Sequence, residues 1–187
     1  MKKSKEMHPE AAKNPSGLVF IALSAMCFLA CAGVPDEVAV VKNFNLQSYM
    51  GPWYEIARFD HKFEKNLSNV TATYTITDNG FVQVENSGYN TEKEKWTTTV
   101  GKARLRHSAT EGALEVSFFG PFYADYNILA LDDEYKYALV GGSTDKYLWI
   151  LSRTPTIPDD IKQHYLNLAK NLGYDTSKLD WIDQSMN

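Results

Sequence analysis

Between residues 52 and 152 apolar and polar residues alternate in short runs with a period of two, the repeat of strands that turn one face inward. Strands are predicted over 52–60, 69–77, 81–88, 94–106, 113–119, 122–131, 135–141 and 146–152. The run Val70-Thr71-Ala72-Thr73-Tyr74-Thr75-Ile76 has the β-branched and aromatic content that suits a pleated surface. Turn residues separate the runs. Asp78-Asn79-Gly80 is a hairpin pattern, Thr110-Glu111-Gly112 is another, Gly120-Pro121 divides one apolar run into two, and Gly141-Gly142-Ser143-Thr144-Asp145 closes the last hairpin. Short, regular connections predict an all-β fold with an antiparallel up-and-down sheet. A sheet of eight such strands can close into a β-barrel, which removes its edges and leaves room for one small ligand.

The period changes after Pro155. Ile161, Tyr165, Leu168 and Leu172 recur at helical spacing, with Pro158, Asp159 and Asp160 at the start and Gly173 beyond the end. One C-terminal α-helix is predicted here, packed on the outside of the barrel. Lys and Arg are too few on it for a membrane-surface helix. A short last strand is expected near Lys178–Ile182.

At the other end, Asn45 to Gly51 reads as a 3-10 turn running into the first strand, with Gly51 at the tight position and Pro52 where a strand donor is dispensable. Trp53 follows, with an apolar body to bury and one N–H to satisfy. About a hundred residues later, Arg153 ends the apolar run Tyr147-Leu148-Trp149-Ile150-Leu151-Ser152. A guanidinium stacked on the indole, donating to carbonyls of the opening turn, would serve both residues. A core Trp and an unrelated Arg is the plainer alternative.

Composition adds a compartment. Lys2, Lys3, Lys5 and Lys13 precede an apolar run from Leu18 to Ala30, too short to span a bilayer comfortably. The small Ala30 before Cys31 resembles the lipobox of bacterial lipoproteins, in which the cysteine is lipidated. Cys27, after Met26, fits less well; an ordinary secretory signal or an uncleaved anchor are the alternatives. The expected layout is a signal peptide over 1–30, a lipid-anchored tether over 31–42 and a barrel domain over 43–187. Both cysteines fall in the leader, so the domain has no internal disulfide. The net charge of −4 and the absence of a basic patch argue against nucleic acid as a partner.

Three blocks, Gly51-Pro52-Trp53-Tyr54, Leu131-Asp132-Asp133-Glu134-Tyr135 and Arg153 after its strand, resemble the conserved blocks of the lipocalins. The runs Trp53–Arg58, Val116–Tyr123 and Tyr147–Pro155 resemble more narrowly the bacterial outer-membrane branch of that family. The resemblance covers roughly residues 43–183. It implies a barrel plugged at one end, binding of fatty acids or lysophospholipids, and a location at the outer membrane. It also implies that Gly51, Trp53, Tyr135 and Arg153 are scaffold residues rather than ligand contacts.

Strand alternation then nominates the ligand site. Phe118, Tyr126, Ile128 and Trp149 are expected to line the cavity, with the Tyr126 hydroxyl available to a polar head. Arg58, His61 and Lys62 follow the first strand, where cations could meet an anionic head group; a solvated loop is the plainer alternative. No catalytic or metal pattern is present. His8, His61, His107 and His164 are scattered, and no Cys-x-x-Cys, Gly-x-Ser-x-Gly or phosphate loop occurs. Asn66-Leu67-Ser68 and Asn69-Val70-Thr71 match the glycosylation pattern by chance. The expectation is a binding protein, not an enzyme, that needs no cofactor. An enzyme acting on bound lipid and an interaction protein with a filled barrel are the alternatives. The oligomeric state, a homodimer included, is left open.

Overall fold

A computed structural model describes residues 39–187. The leader, Cys31 and most of the tether lie outside the described residues. The chain opens with a short helix, α1 (Leu46–Tyr49), followed by β1 (Gly51–Phe59), β2 (Leu67–Ile76), β3 (Val82–Asn90) and β4 (Lys95–Leu105). Then come β5 (Ala113–Ser117), β6 (Ala124–Leu131), β7 (Tyr137–Gly141) and β8 (Leu148–Ser152). The C-terminal part holds α2 (Asp159–Asn171), a 3-10 turn (Thr176–Lys178) and β9 (Leu179–Trp181).

Each of the first seven strands pairs antiparallel with the next, and β8 pairs with β1, so the sheet closes on itself. The barrel therefore has no free edge along most of its circumference. β1 and β2 pair only over Gly51–Tyr54 and Thr71–Tyr74. Farther along β1, β9 takes the place of β2, matching Ala57 to Trp181 and Phe59 to Leu179. The tail finishes the seam: Asn69 N–H donates to Asp183 O at 2.7 Å, and Gln184 Nε2 donates to Glu55 O at 2.8 Å and Val70 O at 3.0 Å. The predicted short last strand is thus the patch over the gap between β1 and β2.

Two apolar clusters result. The outer one joins Ile56, Ala57, Phe59, Leu139 and Ile150 of the wall to Tyr165 and Ala169 of α2. Ile161, Leu168 and Leu172 flank that contact half-buried. Gly173 stops the helix at φ +90°, a left-handed value that costs a glycine nothing. The inner cluster, with Tyr49, Trp53, Tyr74, Leu114 and Ile128, fills one end of the barrel.

The opening turn differs in detail from expectation. It is one turn of α-helix, capped by Asn45 Oδ1 accepting from Ser48 N–H at 3.0 Å. Only its last bond, Met50 N–H to Gln47 O at 3.3 Å, has 3-10 spacing. Tyr49 N–H bonds Asn45 O at 3.3 Å with the i→i+4 spacing of an α-helix.

Candidate functional site

The site has a floor and a hollow. At the floor, Gly51 takes φ +92°, which turns the chain from α1 into β1 and points Trp53 inward. Trp53 Nε1 donates to Tyr49 O at 2.9 Å. The Arg153 guanidinium lies 3.8 Å over the indole ring. Its Nη1 donates to Pro52 O at 2.7 Å, and its Nη2 to Ser48 O at 3.1 Å and Tyr49 O at 3.0 Å. Its Nε reaches Tyr135 O at 3.1 Å. Tyr135 holds φ +57°, a strained value for a residue with a side chain, and its hydroxyl accepts from Asn45 N–H at 2.9 Å. Gly51, Trp53, Tyr135 and Arg153 therefore meet in one closure, with the guanidinium linking α1, β1 and the turn before β7.

Above the closure, Tyr126 Oη sits 2.7 Å from Tyr49 Oη and 2.8 Å from Tyr74 Oη. Burial raises the pKa of all three hydroxyls, so they stay neutral. The chain of hydroxyls seals the floor with satisfied polar groups.

Over this floor opens a cavity of about 690 Å³, within the range of roughly 300–1,000 Å³ typical of small-molecule sites. It exists because the inward positions of the upper wall are short: Ala72, Val84, Gly88, Thr97, Thr99 and Ala103 line it. Large side chains at the floor and small ones above give the barrel its taper. Phe63, Phe119, Phe122 and Tyr147 stand around the mouth.

Of the residues nominated from sequence, Phe118, Tyr126 and Trp149 lie on the cavity wall. Ile128 does not. Its side chain faces the interior, but Val41 crosses beneath it, with Val41 N–H donating to Ile128 O at 2.9 Å and Gly112 N–H to Val41 O at 2.9 Å. A Cβ on Gly112 would stand 2.6 Å from the Val41 side chain, so only glycine admits this strap. Ile128 is floor packing, below the hollow. The Tyr126 hydroxyl is also not free for a head group, since Tyr49 and Tyr74 engage it.

Arg58 is not a rim cation either. It is 1 % exposed, inside the wall. A bulge in β1 between Glu55 and Ala57 places Ile56 and Ala57 in the outer cluster and reverses the alternation beyond them. Arg58 Nη1 donates to Glu55 Oε1 at 2.6 Å, and Nη2 to Glu64 O at 2.7 Å and Leu67 O at 3.3 Å. Trp149 Nε1 donates to Glu64 Oε2 at 3.4 Å. Burial, then the Glu55 charge, push the Glu64 carboxyl up to about 8 against the pull of Arg58. Burial likewise raises Glu55, with Arg58 opposing. His61 stacks between Phe63 and Tyr147, at 5.3 and 4.7 Å between ring centres, and burial keeps its imidazole below the ordinary pKa. Lys62 alone of the three is exposed.

Glu55 and Glu64, both on the cavity lining, escaped the sequence reading. Glu55 shares the face of Trp53 by simple alternation and was legible. Glu64 sits on a loop, where alternation says nothing. The β2–β4 wall was also missed, although Val70, Ala72 and Tyr74 alternate plainly. Among the described residues, no group of three or more His, Cys, Asp or Glu is placed to hold a metal ion.

The family model of the lipocalin-like domain matches residues 44–184. The outer membrane lipoprotein Blc of Escherichia coli K12 is 51 % identical over 169 residues, covering 89 % of this chain and 96 % of that protein. The Vibrio cholerae protein of the same name is 44 % identical, over 89 % of this chain and 98 % of its own length. Temperature-induced lipocalin-1 of Arabidopsis thaliana is 36 % identical, over 80 % and 84 %. Among solved structures, insecticyanin of the tobacco hornworm Manduca sexta superposes with a TM-score of 0.64 at 24 % identity, over 79 % of this chain and 84 % of that one.

Proposed function

The chain belongs to the lipocalin family, which binds small hydrophobic ligands, and on that premise we propose that it holds a single-chain lipid, a fatty acid or lysophospholipid, in the barrel while tethered to the bacterial outer membrane. The observation that carries the reading is the hollow itself: about 690 Å³ of mostly apolar space above a sealed floor and open at one end. An acyl chain entering it gains about 0.8 kcal/mol for each buried CH₂ before the costs of binding. Phe118 and Trp149 supply broad apolar faces to such a chain. The floor closes the space, and Tyr74, Leu114 and Tyr126 are its face toward the cavity.

The tether would be lipidated Cys31. Blc relatives from three enteric and vibrio species bear the name outer membrane lipoprotein, which supports that anchor and compartment for this chain. The activity is carriage or storage, not turnover; Glu55 is paired with Arg58, and the three tyrosine hydroxyls are engaged with one another. Native mass spectrometry of the purified protein, after exposure to extracted bacterial lipids, tests the reading. Retention of one lipid-sized mass per barrel is expected. A barrel that stays empty, or one that converts the lipid and releases a product, rejects it.

A further inference from the structure

Three acidic residues line the cavity, Glu55, Glu64 and Asp125, and no Lys, Arg or His does so among the described residues. Two of the three are matched. Glu55 is held by Arg58 at 2.6 Å, and Asp125 by Arg106 at 2.5 Å. Glu64 has only the long bond from Trp149 and the Arg58 Nε at 4.0 Å. The remaining Arg58 donors are spent on Glu55 and on backbone carbonyls. Asn86, also on the lining, has its Oδ1 buried without a hydrogen-bond partner. The cavity wall thus offers a surplus of acceptors and one carboxyl without a counter-charge of its own.

Resting on the lipid-binding reading, we propose that this cavity selects an amphiphile with an ammonium head over one with a carboxylate, and that Glu64 is the residue that sets the choice. Arg58 already balances Glu55. An ammonium beside Glu64 takes the place of the carboxyl proton: Glu64 ionises against it, and the buried group of charges stays neutral. A ligand carboxylate instead adds another negative charge to a poorly hydrated space where no cation faces it, and both its own desolvation and its repulsion from Glu55 count against it. The other charged or titratable neighbours do not change this. Asp60 adds to the negative field at Glu64, and His61 is held toward its neutral form. The rings of Trp149, Tyr147 and Phe63 on the lining also favour a cation over an anion through their electron-rich faces.

The test is calorimetric titration of the purified protein at pH 7.5 with three probes of equal chain length: decylammonium, decanoate and 1-decanol. The expected order is decylammonium over decanol over decanoate, with at least about tenfold between the two ions, a difference of about 1.4 kcal/mol. In Glu64→Gln, which keeps the size of the side chain, the ratio of decylammonium to decanol affinity is expected to fall close to one. Decanoate binding as tightly as decylammonium, or an unchanged ratio in Glu64→Gln, overturns the head-group assignment. Failure of the lipid-binding reading looks different: none of the three probes, decanol included, then binds the wild-type protein. If Glu64→Gln fails to fold, the order of the three probes on the wild-type protein decides alone.

Discussion

The two ends of the barrel are made from the same strands by opposite means. At the floor, large side chains fill the bore and their polar atoms are spent on one another: the Trp53 N–H on Tyr49, the Arg153 donors on four carbonyls, and three tyrosine hydroxyls in one chain. At the mouth, short side chains leave a hollow, and apolar rings face outward, Phe119 at 77 % and Phe122 at 79 % exposure. Arg58 Nε, His61 Nε2 and Asn86 Oδ1 are buried there without partners. A satisfied end is stable and closed; an end with room and unspent hydrogen bonds is built for something that comes and goes. The division teaches where stability and function reside in this chain, and it can be attacked from both sides.

The largest expected effect is at the floor. Trp53→Ala removes a fully buried indole and the surface under Arg153, and should cost about 3–5 kcal/mol in urea unfolding. A loss below about 1 kcal/mol would show that the closure is ornamental. Tyr126→Phe is next. It breaks both hydroxyl bonds of the tyrosine chain and should cost about 1–3 kcal/mol, while decanol affinity stays the same because that hydroxyl is turned away from use by a guest. A selective loss of decanol binding at unchanged stability would move Tyr126 from the floor to the site.

The mouth side carries a pH dependence. The folded state keeps a proton on Glu64 up to about pH 8, whereas an unfolded glutamate releases it near about 4.3. Between those values the folded state binds more protons, so stability falls as pH rises, by at most about 1.4 kcal/mol per unit from this group. Thermal melts at pH 5, 6, 7 and 8 should show the decline, and Glu64→Gln should flatten it. Equal slopes in the two proteins would remove the buried carboxyl from the account. The smallest effect is expected at the rim: Phe122→Ser should change stability by no more than about 0.5 kcal/mol. A larger loss would mean that the mouth, like the floor, holds the fold together.

Much of the floor was readable in advance. Gly51, Trp53 and Arg153 carry local demands, a turn, a burial and a set of donors, that suggest a closure; the family resemblance added Tyr135, whose positive φ only the structure shows. The cavity wall was readable only by face. Phe118, Tyr126 and Trp149 lie on the inward side as alternation requires, but Ile128 lies on that side too and ends up under the Val41 strap. Period two assigns a face and gives no depth. Arg58 was misread for a different cause: the bulge in β1 shifts the period, and nothing in Glu55-Ile56-Ala57-Arg58 announces it.

By itself the sequence determined the strands, the turns and the external helix, because each rests on contacts between near neighbours in the chain, and it proposed the closure from residue types whose demands match. The tertiary structure alone decided how deep each inward side chain lies, which carboxyl is left unmatched, and that the C-terminal tail fills the gap between β1 and β2. Those outcomes depend on where the barrel widens and on which distant segments arrive at the same height, and burial at that height sets the charge and the hydrogen bonding of every group within it.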